Sequence, residues 1–342
     1  MSRRTKIIIG ASLVVLGLLF ASPELLSQYW VMVLISCLIF TCLGYGFRFL
    51  FLAGRLTIGA IAFAGIGAYT AALLTTKVDI PVLTNPWTGL FFGAIMAALI
   101  AIPIGIICLK VPGLMFAILT MAFVELFRYV LIMWSSLTNG IGGVLDIPAF
   151  SFPGYGSFGI DRTPYLYLII IIAAVTMFVM YRIERTRVGL SMLSMAQNNE
   201  LARHLGMDTF KYRLVIFAIV GLFAGLVGGF QAHYWHYVSP MEYQLLSSLL
   251  IMICPVVGGL MSPVGPIVGA FTLIGLTEGL RVFQEWAGLF FGGILLFVVF
   301  VLPGGLVTLP RAIYNTPQAI MNSPQWARMQ WGRIRDKFAP IS

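Results

Sequence analysis

Long apolar runs separated by short polar breaks make up most of this chain. Runs close to the roughly 20 residues that a helix needs to cross a hydrocarbon core of about 30 Å recur at 7–26, 29–47, 55–76, 87–109, 112–134, 163–181, 213–237, 244–261, 264–283 and 287–308. Apolar positions within them are continuous and do not alternate as barrel strands do. Only helices or closed barrels satisfy every backbone polar group in lipid. The pattern therefore predicts an all-α integral membrane protein of about ten transmembrane helices.

The polar breaks set the orientation. With the N-terminus inside, every Lys and Arg except Lys77, Arg128, Arg162 and Arg281 falls on the cytoplasmic side, as the positive-inside rule requires. Both ends are then cytoplasmic. Arg3, Arg4 and Lys6 before the first run also fit a cleavable signal peptide, but Leu19-Phe20-Ala21 lacks the usual small residues, which favours a retained span. Three segments lie outside the runs. Ser135 to Arg162 is rich in Gly, Ser and Pro and reads as a folded external loop. Arg182 to Arg213 carries Leu193, Ala196, Leu201 and Leu205 among polar residues, a spacing for short amphipathic helices on the cytoplasmic side. The transmembrane body ends near residue 310; the basic tail 311–342, with Trp326 and Trp331, reads as an interfacial helix or a disordered tail.

Five spans on each side of the middle give two halves of opposite direction, the arrangement of inverted-repeat transporters. Corresponding spans share an irregularity: GRLTIGAIAFAGIGAY from Gly54 to Tyr69, and CPVVGGLMSPVGPIVGA from Cys254 to Ala270. Interrupted spans mark either a central pathway or close helix packing through small residues. Gly54, Thr57, Gly65, Gly67, Tyr69, Gly258 and Gly259 are the residues singled out under both readings.

Composition narrows the function. The 342 residues are 60% hydrophobic and 10% charged, with a mean hydropathy of +0.97. The net charge of +9 comes from basic residues flanking apolar runs, so it reports topology and not nucleic-acid binding. Cys37, Cys42, Cys108 and Cys254 all lie inside apolar runs without metal-ligand or disulfide-framework spacing.

The stretches RLTIGAIAFAGIGAYTAAL, FAILTMAFVELFRYVLIMWSSLTNGIGG (Phe116 to Gly143) and TRVGLSMLSMAQNNELARHLGMDTFKYRLVIFAIVGLFAGLVGGFQAHYWHYVSP (Thr186 to Pro240), followed by VVGGLMSPVGPIVGA, carry a recognisable pattern. From about Leu43 to Pro310 the chain resembles the LivM-type permease subunits of ATP-binding cassette importers for branched-chain amino acids. It departs from them at Gln197-Asn198-Asn199, at His236 and in its basic tail. The resemblance implies a partner permease of the LivH type, two cytoplasmic ATPase subunits, an extracytoplasmic solute-binding protein, and residence in a bacterial inner membrane. ATP and Mg would bind the ATPases, and no cofactor is expected on this chain. The sequence holds no GxxxxGK[ST] phosphate loop, so the subunit is expected to be non-catalytic.

The segment Asn198 to Met207 is the candidate ATPase-coupling helix, with Asn199, Glu200, His204, Leu205 and Gly206 as its named residues. Gly206 suits the helix stop. Glu125 and Arg128 lie three apart on one helix face within a span, which suits an intrahelical ion pair or a pathway position. His233 and His236, three apart, lack a third ligand and sit among Tyr234, Trp235 and Tyr237 of an interfacial belt, so no metal is expected. Glu24, Asp79, Asp146, Asp161, Glu242, Glu278 and Glu285 are placed in external loops, where they dock a binding protein or are simply solvated. Importers of urea, amides or another small solute are the nearest alternatives. An autonomous channel or carrier would place ion-binding groups in several spans, and a membrane enzyme would show a catalytic cluster within them.

Overall fold

The computed structural model describes residues 27–78, 84–152, 156–158, 161–204 and 206–281, with 288, 292–293, 296 and 305–308. The first run at 7–26, most of the last at 287–308, Leu205 and the tail 311–342 lie outside the described residues.

Among the described residues six helices are long and apolar enough to cross a membrane: α1 (Gln28–Leu52), α2 (Ala60–Lys77), α3 (Pro86–Cys108), α4 (Leu114–Met133), α6 (Thr163–Glu184) and α9 (Thr209–Trp235). A short α5 (Ser135–Thr138) follows α4, and α7 (Arg187–Gln197) and α8 (Asn199–His204) follow α6. Strands β1 (Ser151–Phe152) and β2 (Gly156–Ser157) pair antiparallel, Ser151 facing Ser157.

Two expected full spans are shorter than the sequence suggests. The runs at 244–261 and 264–283 form α10 (Leu245–Gly258) and α11 (Gly265–Leu280). At 1.5 Å per residue they reach about 21 and 24 Å, short of a bilayer core of about 30 Å. The glycine hairpin between them ends α10 three residues early. Gly259 adopts φ +122°, which stops α10. Backbones also touch here: a Cβ on Gly269 would lie 1.6 Å from the Cys254 carbonyl oxygen, and one on Gly258 1.8 Å from that of Gly265.

The helix α2 begins at Ala60, later than the expected 55, because residues 53–59 run without helix while mostly buried. Its backbone groups are satisfied from the side. Ile58 N–H donates to Thr120 Oγ1 of α4 at 3.1 Å, the Ile58 carbonyl accepts from Ser248 Oγ of α10 at 2.5 Å, and Gly59 N–H donates to Thr57 Oγ1 at 3.1 Å. Unwound backbone inside a bilayer survives on such partners.

The centre of the bundle is α9, against α1, α2 and α3. Helices α2, α3 and α9 meet one another through glycine: a Cβ on Gly228 would stand 1.8 Å from the Ala64 carbonyl oxygen, one on Gly67 2.1 Å from that of Gly225, and one on Gly93 2.5 Å from that of Gly67. Outward faces stay apolar, with Phe91, Ile95, Leu99, Ile106, Leu114, Ile118, Ile171, Val175 and Phe178 exposed. Such faces belong against lipid or another apolar subunit, not water.

The polar breaks sort to two ends. Those after α2, α4 and α9 meet at one: Lys77 Nζ donates to the Ser136 and Leu137 carbonyls, and the end of α9 contacts Ile147 and Pro148. Those after α1, α3 and α6 meet at the other, the end that carries α7 and α8.

Candidate functional site

The α7–α8 segment is built onto its end of the bundle by arginines. Arg48 lies within α1, 2% exposed, and forms a two-pronged ion pair with Glu184 at the end of α6. The sequence placed Arg48 in a cytoplasmic loop; it belongs to the helix, because its charge is neutralised by a carboxylate from a neighbouring span. Glu184 in turn seats α7: a Cβ on Gly189 would lie 2.0 Å from the Glu184 carbonyl oxygen. The other end of α7 is held by Arg213 of α9, which donates to the carbonyls of Met195 (3.4 Å) and Ala53 (3.1 Å). Gly54, at φ +73°, completes the contact, since a Cβ there would meet Ala196 Cα at 2.9 Å. Arg55 closes the neighbouring break, donating to the Val111 and Leu109 carbonyls at 2.6 and 3.2 Å.

The amphipathic pattern divides differently from its sequence reading. Gly189, Met192 and Met195 of α7 and Ala202 of α8 face the bundle, whereas Leu190, Leu193, Ala196 and Leu201 are exposed. Asn198 is the cause: its extended backbone (φ −151°, ψ 104°) breaks the helix and resets the periodicity between Leu193 and Leu201. The Asn198 Oδ1 then accepts from the N–H groups of Glu200 and Leu201, at 3.1 and 3.0 Å, capping α8. Gly206 at φ +82° follows its end, with Met207 N–H donating to the Ala202 carbonyl at 3.2 Å. Glu200 and His204 are exposed, and Asn199 is half-buried. Asp208 caps α9: its carboxylate accepts from Lys211 N–H at 3.1 Å and pairs with the Lys211 ammonium, which holds its pKa below the usual carboxylate value. The arrangement is a short capped helix, rigidly seated, presenting charge and exposed leucine away from the membrane body.

The remaining sequence-derived residues lie elsewhere. Gly67 packs α2 against α9, and Gly258 and Gly259 pack the α10–α11 hairpin. Gly65 gives room for Phe127 and Tyr243, whose atoms would stand 2.5 and 2.9 Å from a Cβ there. Glu125 and Arg128 form the intrahelical pair that their spacing predicts, at 2.7 Å, while the other Glu125 oxygen accepts from Leu245 N–H at 3.2 Å. That second bond puts the carboxylate at the positive end of α10.

At the opposite end, His233 and His236 bond through Nδ1 to the carbonyls of Pro148 and Ile147, at 2.8 and 2.9 Å. They fasten the external loop to α9 beside the Val144–Val238 bridge. Among the described residues no three His, Cys, Asp or Glu side chains come together as a metal site requires. A cavity of about 670 Å³, lined among others by Asp146, Arg162, Tyr165, Tyr234 and His236, opens beside this loop. Glu242, read as an ordinary external carboxylate, is instead partly buried in a single 3₁₀ turn (Pro240–Tyr243) between α9 and α10, and burial pushes its pKa up to about 7. Neither Arg48 with Glu184 nor the burial of Glu242 was marked in the sequence as a candidate. The partners are remote in sequence, and only the apolar runs bracketing each charge hinted at burial.

Comparison with known proteins agrees with this architecture. Residues 29–299 match the family described as branched-chain amino acid transport system / permease component. The high-affinity branched-chain amino acid transport system permease protein LivM of Escherichia coli (strain K12) is 28% identical over 86% of this chain and 73% of that protein. LivM of Salmonella typhimurium (strain LT2) is 27% identical over 84% and 72%. The autoinducer 2 import system permease protein LsrC of Escherichia coli O9:H4 (strain HS) is 24% identical over 86% of both chains. No solved structure matches the chain. With most of its length matched and its helices apolar enough to cross a membrane, this chain belongs to the family of branched-chain amino acid transport permeases.

Proposed function

We propose that this chain is the membrane-spanning permease subunit of an ATP-binding cassette importer that carries branched-chain or related amino acids inward by alternating access. Energy comes from two partner ATPases, which bind ATP and Mg; this chain binds no cofactor and hydrolyses nothing. Solute is delivered by an extracytoplasmic binding protein and crosses at the interface with a LivH-type partner permease. The chain lies in the bacterial inner membrane with both termini cytoplasmic and about ten spans in two inverted halves, the α7–α8 end facing the cytoplasm. Residues 1–310 form the permease domain and 311–342 a basic tail.

The observation that carries the reading is the seated α7–α8 segment within a chain of this family. A lever driven by an ATPase must be stiff and must present a contact surface to a soluble protein. Arg48–Glu184 and Arg213 supply the stiffness, and exposed Leu193, Leu201, Glu200 and His204 supply the surface. Tagged chain, solubilised in mild detergent from its native membranes, is expected to co-purify an ATPase that Glu200→Arg with Gly206→Asp releases. Isolation of the chain free of any ATPase, with wild type and variant alike, would defeat the proposal.

A further inference from the structure

The 3₁₀ turn Pro240–Tyr243 holds a group of polar atoms that the fold leaves unsatisfied. Glu242 Oε2, Tyr69 Oη and Tyr243 Oη are all buried from solvent, and none has a hydrogen-bond partner among the described residues. Tyr69 and Tyr243 are 3% and 1% exposed, and their rings meet edge to face with centroids 6.3 Å apart. Buried polar groups in folded proteins are almost always paired, so three orphans in one place mark a partner that the described residues do not supply.

The chemistry of the three oxygens says what that partner is. A carboxylate offers acceptors only, and a phenol offers an acceptor and one donor. The matching ligand carries several N–H donors and a positive charge. Among the described residues none is free to provide it: the nearby cation of α4, Arg128, is already engaged by Glu125, and the ionisable side chains that act on these groups are Glu242, Tyr69 from α2, Tyr237 beyond α9 and Tyr243. Beside the polar atoms lies an apolar wall, where Phe127 and Tyr243 close over Gly65. An ammonium group next to an aliphatic side chain fits both surfaces. The position also suits a path, since Tyr69 sits eight residues before the end of α2 and therefore about 12 Å below it.

We propose that Glu242, with the hydroxyls of Tyr69 and Tyr243, forms a binding site within this permease for the ammonium group of its transported solute. The site rests on the importer reading above and names residues for it. The carboxylate supplies the counter-charge, the phenols hold the remaining N–H groups, and Phe127 contacts the apolar side chain. The Gly65 position is kept small so that both rings reach it.

The test uses the complete importer, this chain with its partner subunits, in proteoliposomes with the solute-binding protein and radiolabelled leucine. Glu242→Gln, which keeps shape and removes charge, is expected to lower leucine uptake at least tenfold while the ATPase subunits still co-purify. Tyr69→Phe with Tyr243→Phe, which removes only the two oxygens, is expected to raise the KM for uptake severalfold without changing the melting temperature. Uptake within twofold of wild type in an assembled Glu242→Gln importer would overturn the site, and ordered water would then be the partner of these atoms. Should Glu242→Gln fail to assemble, the double phenylalanine variant decides: an unchanged KM overturns the site. Leucine uptake by wild type that ignores ATP would instead remove the importer reading itself.

Discussion

Inside the bundle, α2, α3 and α9 touch through bare backbone, with Gly67, Gly93 and Gly225 set against one another's carbonyls and Gly228 against that of Ala64. At the α7–α8 end long side chains are added to the glycine contacts of Gly54 and Gly189, Arg48 reaching Glu184 and Arg55 and Arg213 reaching main-chain oxygens. The contrast follows from the solvent. Lipid tails are as apolar as leucine, so helices within the bilayer gain little from burying apolar area and associate by close van der Waals approach, for which small residues are best. Helix and loop ends at the boundary expose carbonyl groups that need donors, and a guanidinium offers five in one planar fork. The first interface tolerates no added atoms. The second tolerates no charge left without its partner.

Each half of that contrast can be broken separately. The largest effect is expected from Gly228→Leu, whose Cβ alone would sit 1.8 Å from the Ala64 carbonyl oxygen; most folded protein should be lost, read as collapse of the monodisperse peak in detergent size-exclusion chromatography. A wild-type peak and melting curve would show that this approach is dispensable. Next comes Glu184→Ala, which strands a buried guanidinium and is expected to cost about 3–5 kcal/mol of unfolding free energy in mixed micelles. Arg48→Met combined with Glu184→Leu should restore most of the loss, because an apolar pair replaces the ions without leaving either unpaired; failure to recover would mean that the charges have another role.

Thr120→Val tests the unwound stretch between the two regions. It leaves the Ile58 N–H without its acceptor and should destabilise by about 1–3 kcal/mol. Equal stability in the same micelle titration would mean that the bond contributes nothing. The smallest effect belongs to exposed Asp208. Its native pKa is depressed by Lys211, so its stabilisation is present above the unfolded value of about 3.9 and disappears as pH falls through the lower native value. Asp208→Ala should therefore melt slightly below wild type at pH 7 and converge with it below about pH 4. A gap that persists unchanged at pH 3 would contradict the assignment.

The same contrast explains what could be read from the sequence. Apolar run length reports a lipid-facing helix directly, so 29–47, 87–109, 163–181 and 213–237 anticipated α1, α3, α6 and α9 closely. Hydropathy is blind to where such a run bends. The stretches around Thr57 and Gly259 stay apolar while their backbone leaves the helix, so α2 started late and α10 ended early. Local chemistry was legible: Glu125 and Arg128 announce themselves by spacing, and Gly206 ends α8 with the positive φ its residue type suggests. Long-range chemistry was not. Glu184 lies 136 residues from Arg48, and an arginine at the end of an apolar run is read as a loop marker until its partner is in view. Glu242 looked like a solvated loop carboxylate for the same reason, since nothing local shows that Tyr69 packs against its neighbour Tyr243.

The central claim is that the α7–α8 segment transmits work from partner ATPases to the bundle. It is tested most directly by measuring ATP hydrolysis and leucine uptake together in proteoliposomes of the complete importer, for wild type and for Glu200→Arg with His204→Glu. Wild type should couple the two, and the variant should lose uptake and ATPase attachment while its melting temperature stays unchanged, because both residues are exposed. Uptake that persists in the variant, or that proceeds with the chain alone and without ATP, would contradict the account.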